Sequence, residues 1–272
     1  MIDLQLPAMG NATRMPAIIL APAVHGELRQ PALVQLGGKS LLAWSLECAM
    51  NSRAVSEVII VTDDALTAQA ASRLGRGPKP VRVLELGVPY SALRALQRAA
   101  QSVVESGSSL CALHVAAPLR AGFDIDAAAA QFQEALARRG ESRPLSLCSV
   151  GHFQRTPNLD NLCWVVRDGA GHQRHPGPRQ SATHYVCALG EDKPNVPGVE
   201  LCTLNDAITL LTHDALRQWA AEPLEGVPGE RLAFLMPEER SLEIGSERDL
   251  RCARAILGLR NATTVVAPPM AA

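Results

Sequence analysis

Residues 58–64 read Val-Ile-Ile-Val-Thr-Asp-Asp. The first five form a short β-branched run, the signature of a strand buried on both faces as in a parallel sheet. The two aspartates suit a helix start, where a carboxylate accepts from free backbone N–H groups. Upstream, Ala17-Ile-Ile-Leu-Ala21 makes a second strand of the same kind. Between them lies a loop with His25-Gly26 and Pro31, punctuated by Gly37-Gly38. A helix over residues 40–50 follows, offering Leu41, Leu42, Trp44 and Leu46 for packing.

Downstream the alternation continues. Strands are expected at residues 81–86, 110–115 and 144–150, with helices at 89–104 and 123–139. Leu74-Gly-Arg-Gly77 follows a helix rather than a strand and reads as its stop. Strands separated by such helices imply right-handed crossovers and a three-layer, Rossmann-like α/β fold with a mostly parallel sheet. Ligands then sit at the carboxyl ends of strands, on the loops after Ala21, Thr62 and Val115.

Residues 151–204 differ, being rich in Pro, Gly and His, and read as an irregular excursion or β-arm. Patterning resumes at 205–211, with a helix near 212–221 and short strands at 231–236 and 241–244. A last helix spans 246–257, with Ser246 as its cap and Asp249 in capping-box register. The expected organisation is an N-terminal extension (1–16), a main domain (17–258) containing an arm at 151–216, and a frayed tail (259–272).

The chain has 272 residues, 47% of them hydrophobic, so a sizeable core is expected and a disordered chain is not. A net charge of −1 argues against nucleic acid or anionic lipid as partner, and 3% aromatics argue against a base-stacking platform. No run of 18 apolar residues spans a membrane, and the N-terminus lacks a signal-peptide core. Seven scattered cysteines without C-x-x-C read as reduced thiols of a cytoplasmic protein. His172, His175, His184 and Cys187 have spacing compatible with zinc, although mobile surface histidines are the plainer reading. Walker A, G-x-S-x-G, G-x-G-x-x-G and H-E-x-x-H patterns are absent.

Five segments, in order, resemble the CMP-sugar-acid cytidylyltransferases, the group of CMP-sialic acid synthetases and phosphonate-activating relatives. Residues 17–42 resemble the family's opening strand, loop and "GKxLL" helix; Ile59-Ile-Val-Thr-Asp-Asp-Ala65 its "STDD" strand end; and residues 113–126 its "LQPTSPLRTxxDID". Residues 205–216 are similar to "NGAIYxxxxxxL", and 236–250 to "MPEERSxDIDTExDL". The resemblance implies attack of a sugar-acid or phosphonate oxygen on the α-phosphorus of CTP, with Mg²⁺ as cofactor and pyrophosphate as product. It also implies a homodimer through residues 151–216, where apolar patches include Leu162-Cys-Trp-Val-Val166.

The departures fall where that chemistry needs charge. Carried over from the resemblance, the nucleotide-binding positions are Ala21, Pro22, His25, Gly26 and His114; the catalytic candidates are Arg29 and Asp63. Acceptor positions are Arg120, Arg179, Gln180 and Asn205, and the metal position is Glu243. The family's "ARxxSKxxPxKN" loop aligns with Pro22, His25, Gly26, Pro31 and Ala32, leaving Arg29 as its remaining cation. Glu243-Ile-Gly245 stands for the metal-binding Asp-x-Asp, and Gly245 offers no ligand. His114-Val-Ala116 replaces a polar Gln-Pro-Thr. The expectation is a diverged member with an eroded CTP/Mg²⁺ site, working as a binding or partner subunit, with Mg²⁺ needed only if it is active. An acidic small molecule, a nucleotide or a protein is the expected partner, and an active transferase is the alternative. Restoring Pro22→Arg, Gly26→Lys and Ala32→Asn with Glu243→Asp and Gly245→Asp is expected to recover part of CTP binding.

Overall fold

A computed structural model of the chain describes residues 14–75, 77–102, 109–139, 144–152, 162–167, 184–188, 199–221 and 230–265. The chain opens with β1 (Met15–Leu20), the hairpins β2 (Val24–His25)–β3 (Leu28–Arg29) and β4 (Gln35–Leu36)–β5 (Lys39–Ser40), then α1 (Leu41–Asn51). Next come β6 (Val55–Thr62), α2 (Ala65–Leu74), β7 (Val81–Glu85), α3 (Ala92–Ser102), β8 (Leu110–His114) and α4 (Gly122–Arg139). The rest comprises β9 (Leu145–His152), β10 (Leu162–Arg167), β11 (His184–Ala188), β12 (Val199–Leu211), α5 (His213–Ala221), β13 (Glu230–Leu235) and α6 (Glu247–Val265).

Nine of these strands form one sheet in the order β10-β11-β13-β9-β12-β8-β1-β6-β7. β12 runs antiparallel to β8 and β9, and β11 to β13; these two oppose the other strands, so the sheet is mainly parallel as expected. Alternation along β1 assigns the faces: Ala17 and Ile19 join one core, Ile18 and Leu20 the other. The first core takes buried residues from α1, α2, α4 and α6, among them Leu41, Ala71, Phe132 and Leu250. The second takes Leu96 of α3 and Leu216 of α5. The result is the expected three layers.

Three local expectations change. The described strands of 151–216 are built into the main sheet, because β12 is long enough to pair with β10 at one end, with β8 at the other and with β9 at both. Residues 241–244 form no strand; Ile244 N–H bonds the Ala116 carbonyl (2.8 Å), a single contact rather than a ladder. α6 runs through Val265, past the expected end at 257. Its start is as anticipated, with Ser246 Oγ accepting from Asp249 N–H at 3.3 Å.

Two sequence motifs prove to be ties between elements. Asp124 at the start of α4 binds Arg240 Nε (2.9 Å), joining the "DID" and "PEER" segments. Asp126 accepts from Ser52 Oγ (2.6 Å) and from the N–H groups of Arg53 and Ala54, anchoring the turn after α1.

Candidate functional site

From β1 the chain moves to one side through β6 and β7, then returns to the other side at β8. This reversal between β1 and β8 is a topological switch point, and a crevice opens outside the carboxyl ends of the two strands. The loop after β1 contributes His25, the end of β8 contributes His114, and the segment before α6 contributes Glu243.

The first loop is held from several directions. Ala23 N–H bonds Asp63 Oδ1 (2.7 Å), and Gln30 Nε2 bonds Asp64 Oδ1 (3.0 Å). Asp64 also caps α2 by accepting from Thr67 N–H (2.8 Å), the helix-start role the sequence suggests. Asp63, a catalytic candidate by resemblance, therefore has one carboxylate oxygen on loop backbone. On the opposite side Glu27 N–H bonds the Gly245 carbonyl (2.8 Å). Arg29 stands exposed on the small hairpin with no ion pair among the described residues. Ala21 is buried, its N–H on the Val61 carbonyl (2.9 Å), and Pro22 is half-buried beside it.

His25 Nε2 lies 2.8 Å from Glu243 Oε1, and its ring centroid is 4.4 Å from that of His114. Burial disfavours the charged forms of His25 and Glu243, but each charge supports the other. The outcome is a raised His25 pKa and a lowered Glu243 pKa. His114 is buried at the end of β8. Burial, then the charges of His25 and Arg120, pull its pKa to about 3 against the influence of Glu243, so it is neutral near pH 7. Its Nδ1 accepts from Ala116 N–H at 3.2 Å. One ligand atom from each of His25, His114 and Glu243 lies within 4.8 Å of the others.

Arg120, an acceptor position by resemblance, has backbone partners. It is 3% exposed, and its Nη1 donates to the carbonyls of His114 (2.8 Å) and Ala117 (2.5 Å). It pins the loop after β8 among the buried thiols Cys48 and Cys111.

Asn205 and its neighbour enter through a break in register between Leu204 and Thr209 of β12. Ser149 Oγ bridges the irregularity, donating to Asn205 Oδ1 (2.6 Å) and accepting from Ile208 N–H (2.9 Å). Such irregularities re-aim side chains. Asn205 is 8% exposed and its Nδ2 has no hydrogen-bond partner. It lines a cavity of about 350 Å³ together with His114, Asp206, Arg231, Trp219 and Leu96. Asp206 and Arg231 are polar groups that the sequence reading missed. Asp206 keeps solvent contact on the cavity wall, yet burial and then the Glu243 charge push its pKa up to about 6, with His25 acting the other way.

Arg179, Gln180, His172 and His175 lie outside the described residues. His184 and Cys187 fall on β11, opposite Arg167 and Trp164 of β10.

Comparison with known proteins shows what the chain is similar to. Over 111 residues the chain is 29% identical to pseudaminic acid cytidylyltransferases of Campylobacter jejuni subsp. jejuni serotypes O:2 and O:23/36. That match covers 39% of this chain and 48% of each relative, so it spans about half the length of the curated relatives. No family model matches. In fold the chain is similar to a CMP:2-keto-3-deoxy-manno-octonic acid synthetase solved in complex with CTP. The TM-score is 0.63 at 16% identity, covering 91% of this chain and 100% of that one. It is also similar to 4-diphosphocytidyl-2C-methyl-D-erythritol synthase from Anaerococcus prevotii, with a TM-score of 0.57, 10% identity and the same coverage. The likeness is to the CMP-sugar-acid cytidylyltransferases, and the fold is cytidylyltransferase-like. Among the described residues no helix is long and apolar enough to cross a membrane.

Proposed function

We propose that this chain is a diverged cytidylyltransferase-like protein whose crevice has lost efficient CTP transfer and serves as a binding or partner subunit. The observation that carries this reading is the His25–Glu243 contact at 2.8 Å. The carboxylate at the metal position is engaged by an imidazole from the loop that should receive phosphates. The residues at the Asp-x-Asp position do not supply the paired carboxylates that would hold Mg²⁺, which takes octahedral oxygen ligands. Glu243 is shared with His25, Gly245 has no side chain, and Asp249 is spent on Ser246 Oγ (2.7 Å).

The cavity bounded by Asn205, Asp206 and Arg231 supports a small-molecule ligand, because a recess of this size with a few polar groups suits one. The unpartnered Asn205 Nδ2 offers a donor to an oxygen acceptor. An acidic small molecule or a nucleotide is the class in view. The same cavity also supports the second reading, an active transferase using a sugar acid or phosphonate. Cytoplasmic localisation, homodimerisation through residues 151–216 and a protein partner remain parts of the proposal. Light scattering at micromolar concentration tests the dimer.

The deciding experiment is calorimetric titration with CTP and Mg²⁺, followed by a pyrophosphate-release assay against sugar acids and phosphonates. Loss of two or three charge-assisted contacts, about 1.5–3 kcal/mol each, weakens binding at least about a hundredfold. Tight Mg²⁺-dependent CTP binding with turnover would replace this reading by the active one.

A further inference from the structure

We propose that His25, His114 and Glu243 form a binding site for a transition-metal dication of the Zn²⁺ or Co²⁺ type. The inference goes beyond the proposed function and does not depend on whether CTP binds. Two imidazoles and a carboxylate suit Zn²⁺, Co²⁺, Ni²⁺ or Fe²⁺ rather than Mg²⁺. The same composition is found in catalytic zinc sites that keep one position open.

Geometry supports the assignment independently of donor type. The three donor atoms lie within 4.8 Å of one another, and the His25–Glu243 separation is already 2.8 Å. Ligands at about 2.0–2.2 Å from one ion stand roughly 3–3.6 Å apart, so small side-chain adjustments complete the set. Each ligand comes from a different, anchored element. The His25 loop is tied to Asp63 and Gly245, the His114 carbonyl to Arg120, and the Glu243 segment to Ala116 through Ile244. His114 also lines the cavity, so a further coordination position would face it, beside Asp206 and Asn205.

Binding has an identifiable proton exchange. The metal replaces the proton that His25 Nε2 shares with Glu243. Coordination through His114 Nε2 moves that ring's proton to Nδ1 and gives up the 3.2 Å contact from Ala116 N–H, which lowers affinity. Another group, His152, Glu200 and Cys202, has comparable spacing, but its His and Glu are exposed at 3.8 Å separation on the sheet. It serves as the control.

The test uses the full chain. Zn²⁺ and Mg²⁺ are titrated by calorimetry and chelator competition, and Co²⁺ by visible absorption. The expected result is Zn²⁺ binding in the micromolar range or tighter, visible Co²⁺ bands, and no Mg²⁺ binding at millimolar concentration. His25→Ala, His114→Gln and Glu243→Gln should each weaken Zn²⁺ at least about tenfold, with unchanged circular dichroism. His25 and Glu243 are partly exposed, so those two variants stay informative if His114→Gln fails to fold. His152→Ala with Cys202→Ser should leave the Co²⁺ bands in place. Absent Zn²⁺ binding, or binding that survives all three substitutions, overturns the proposal. The pyrophosphate assay reports on the proposed function, and the zinc titration reports on this site.

Discussion

Gly26 and Gly245 meet backbone to backbone: a Cβ on Gly26 would stand 2.5 Å from the Gly245 carbonyl oxygen. Gly26 also has φ +57°, a left-handed conformation costly for other residues. By resemblance these positions carry Lys and Asp. The contact shows that the Lys cannot simply be put back, and Ala32, where Asn is expected, is fully buried. Gly245 differs, because the nearest atoms to its Cβ position are 3.9 Å away. Gly26 and Ala32 on the loop side are closed to restoration by sterics, and Gly245 on the metal side is open.

Alanine substitution should separate the two glycines. Gly26→Ala is expected to lose at least about 1–2 kcal/mol from left-handed strain alone, and more from the clash. Gly245→Ala should stay within about 0.5 kcal/mol of the parent. Urea denaturation of both variants measures the difference. Equal losses would mean that the loop does not rest on Gly245 as described.

The His25–Glu243 pair should leave a pH signature. His25 has a folded pKa raised above 6.5, so its contribution is full below that value and lost as pH rises through the raised pKa. Glu243 has a folded pKa lowered below 4.5, so its contribution is full above that value and lost as pH falls through the lowered pKa. The pair therefore stabilises most between about pH 4.5 and 6.5. The stability gap between the parent and His25→Ala should be widest there and shrink as pH rises through the raised His25 pKa or falls through the lowered Glu243 pKa. A gap independent of pH would rule out the ion pair.

Adjacent aspartates should behave differently. Asp64→Ala removes the cap of α2 and should cost about 1 kcal/mol. Asp63→Ala releases Ala23 N–H, and its effect should appear as faster amide exchange in the first loop with α2 unaffected. If Asp63→Ala changes ligand binding but not exchange at Ala23, its carboxylate faces ligand after all.

Arg120 offers a test of structure against contact. Arg120→Ala gives up two charged hydrogen bonds to the loop after β8, worth together about 3 kcal/mol or more. Thermal unfolding should report that loss directly. A variant of unchanged Tm with weakened anion binding would return Arg120 to the ligand site.

Much of the architecture was legible in the chain order of apolar runs. The apolar runs at residues 58–62 and 17–21 carry a strand's burial in their own composition. The capping pairs at Asp64 and at Ser246 with Asp249 are also local, because one side chain meets a backbone N–H three residues on. The similarity to cytidylyltransferases rested on motifs of this kind, and so did the departures at Gly26 and Gly245.

What the site contains was decided by tertiary structure. Nothing in the spacing of His25, His114 and Glu243 joins them; the reversal between β1 and β8 and the Ile244–Ala116 contact do. Asp206 owes its raised pKa to the burial of its surroundings and to the Glu243 charge, both contributed from far along the chain. Nothing local to Arg120 names its partners; the loop carbonyls of His114 and Ala117 that take its donors are set by the fold after β8. Periodicity and capping act within a few residues, so the chain itself determined the order and type of the main strands and helices. Charge, burial and ligand geometry depend on which strand ends meet, and only the folded sheet decided that.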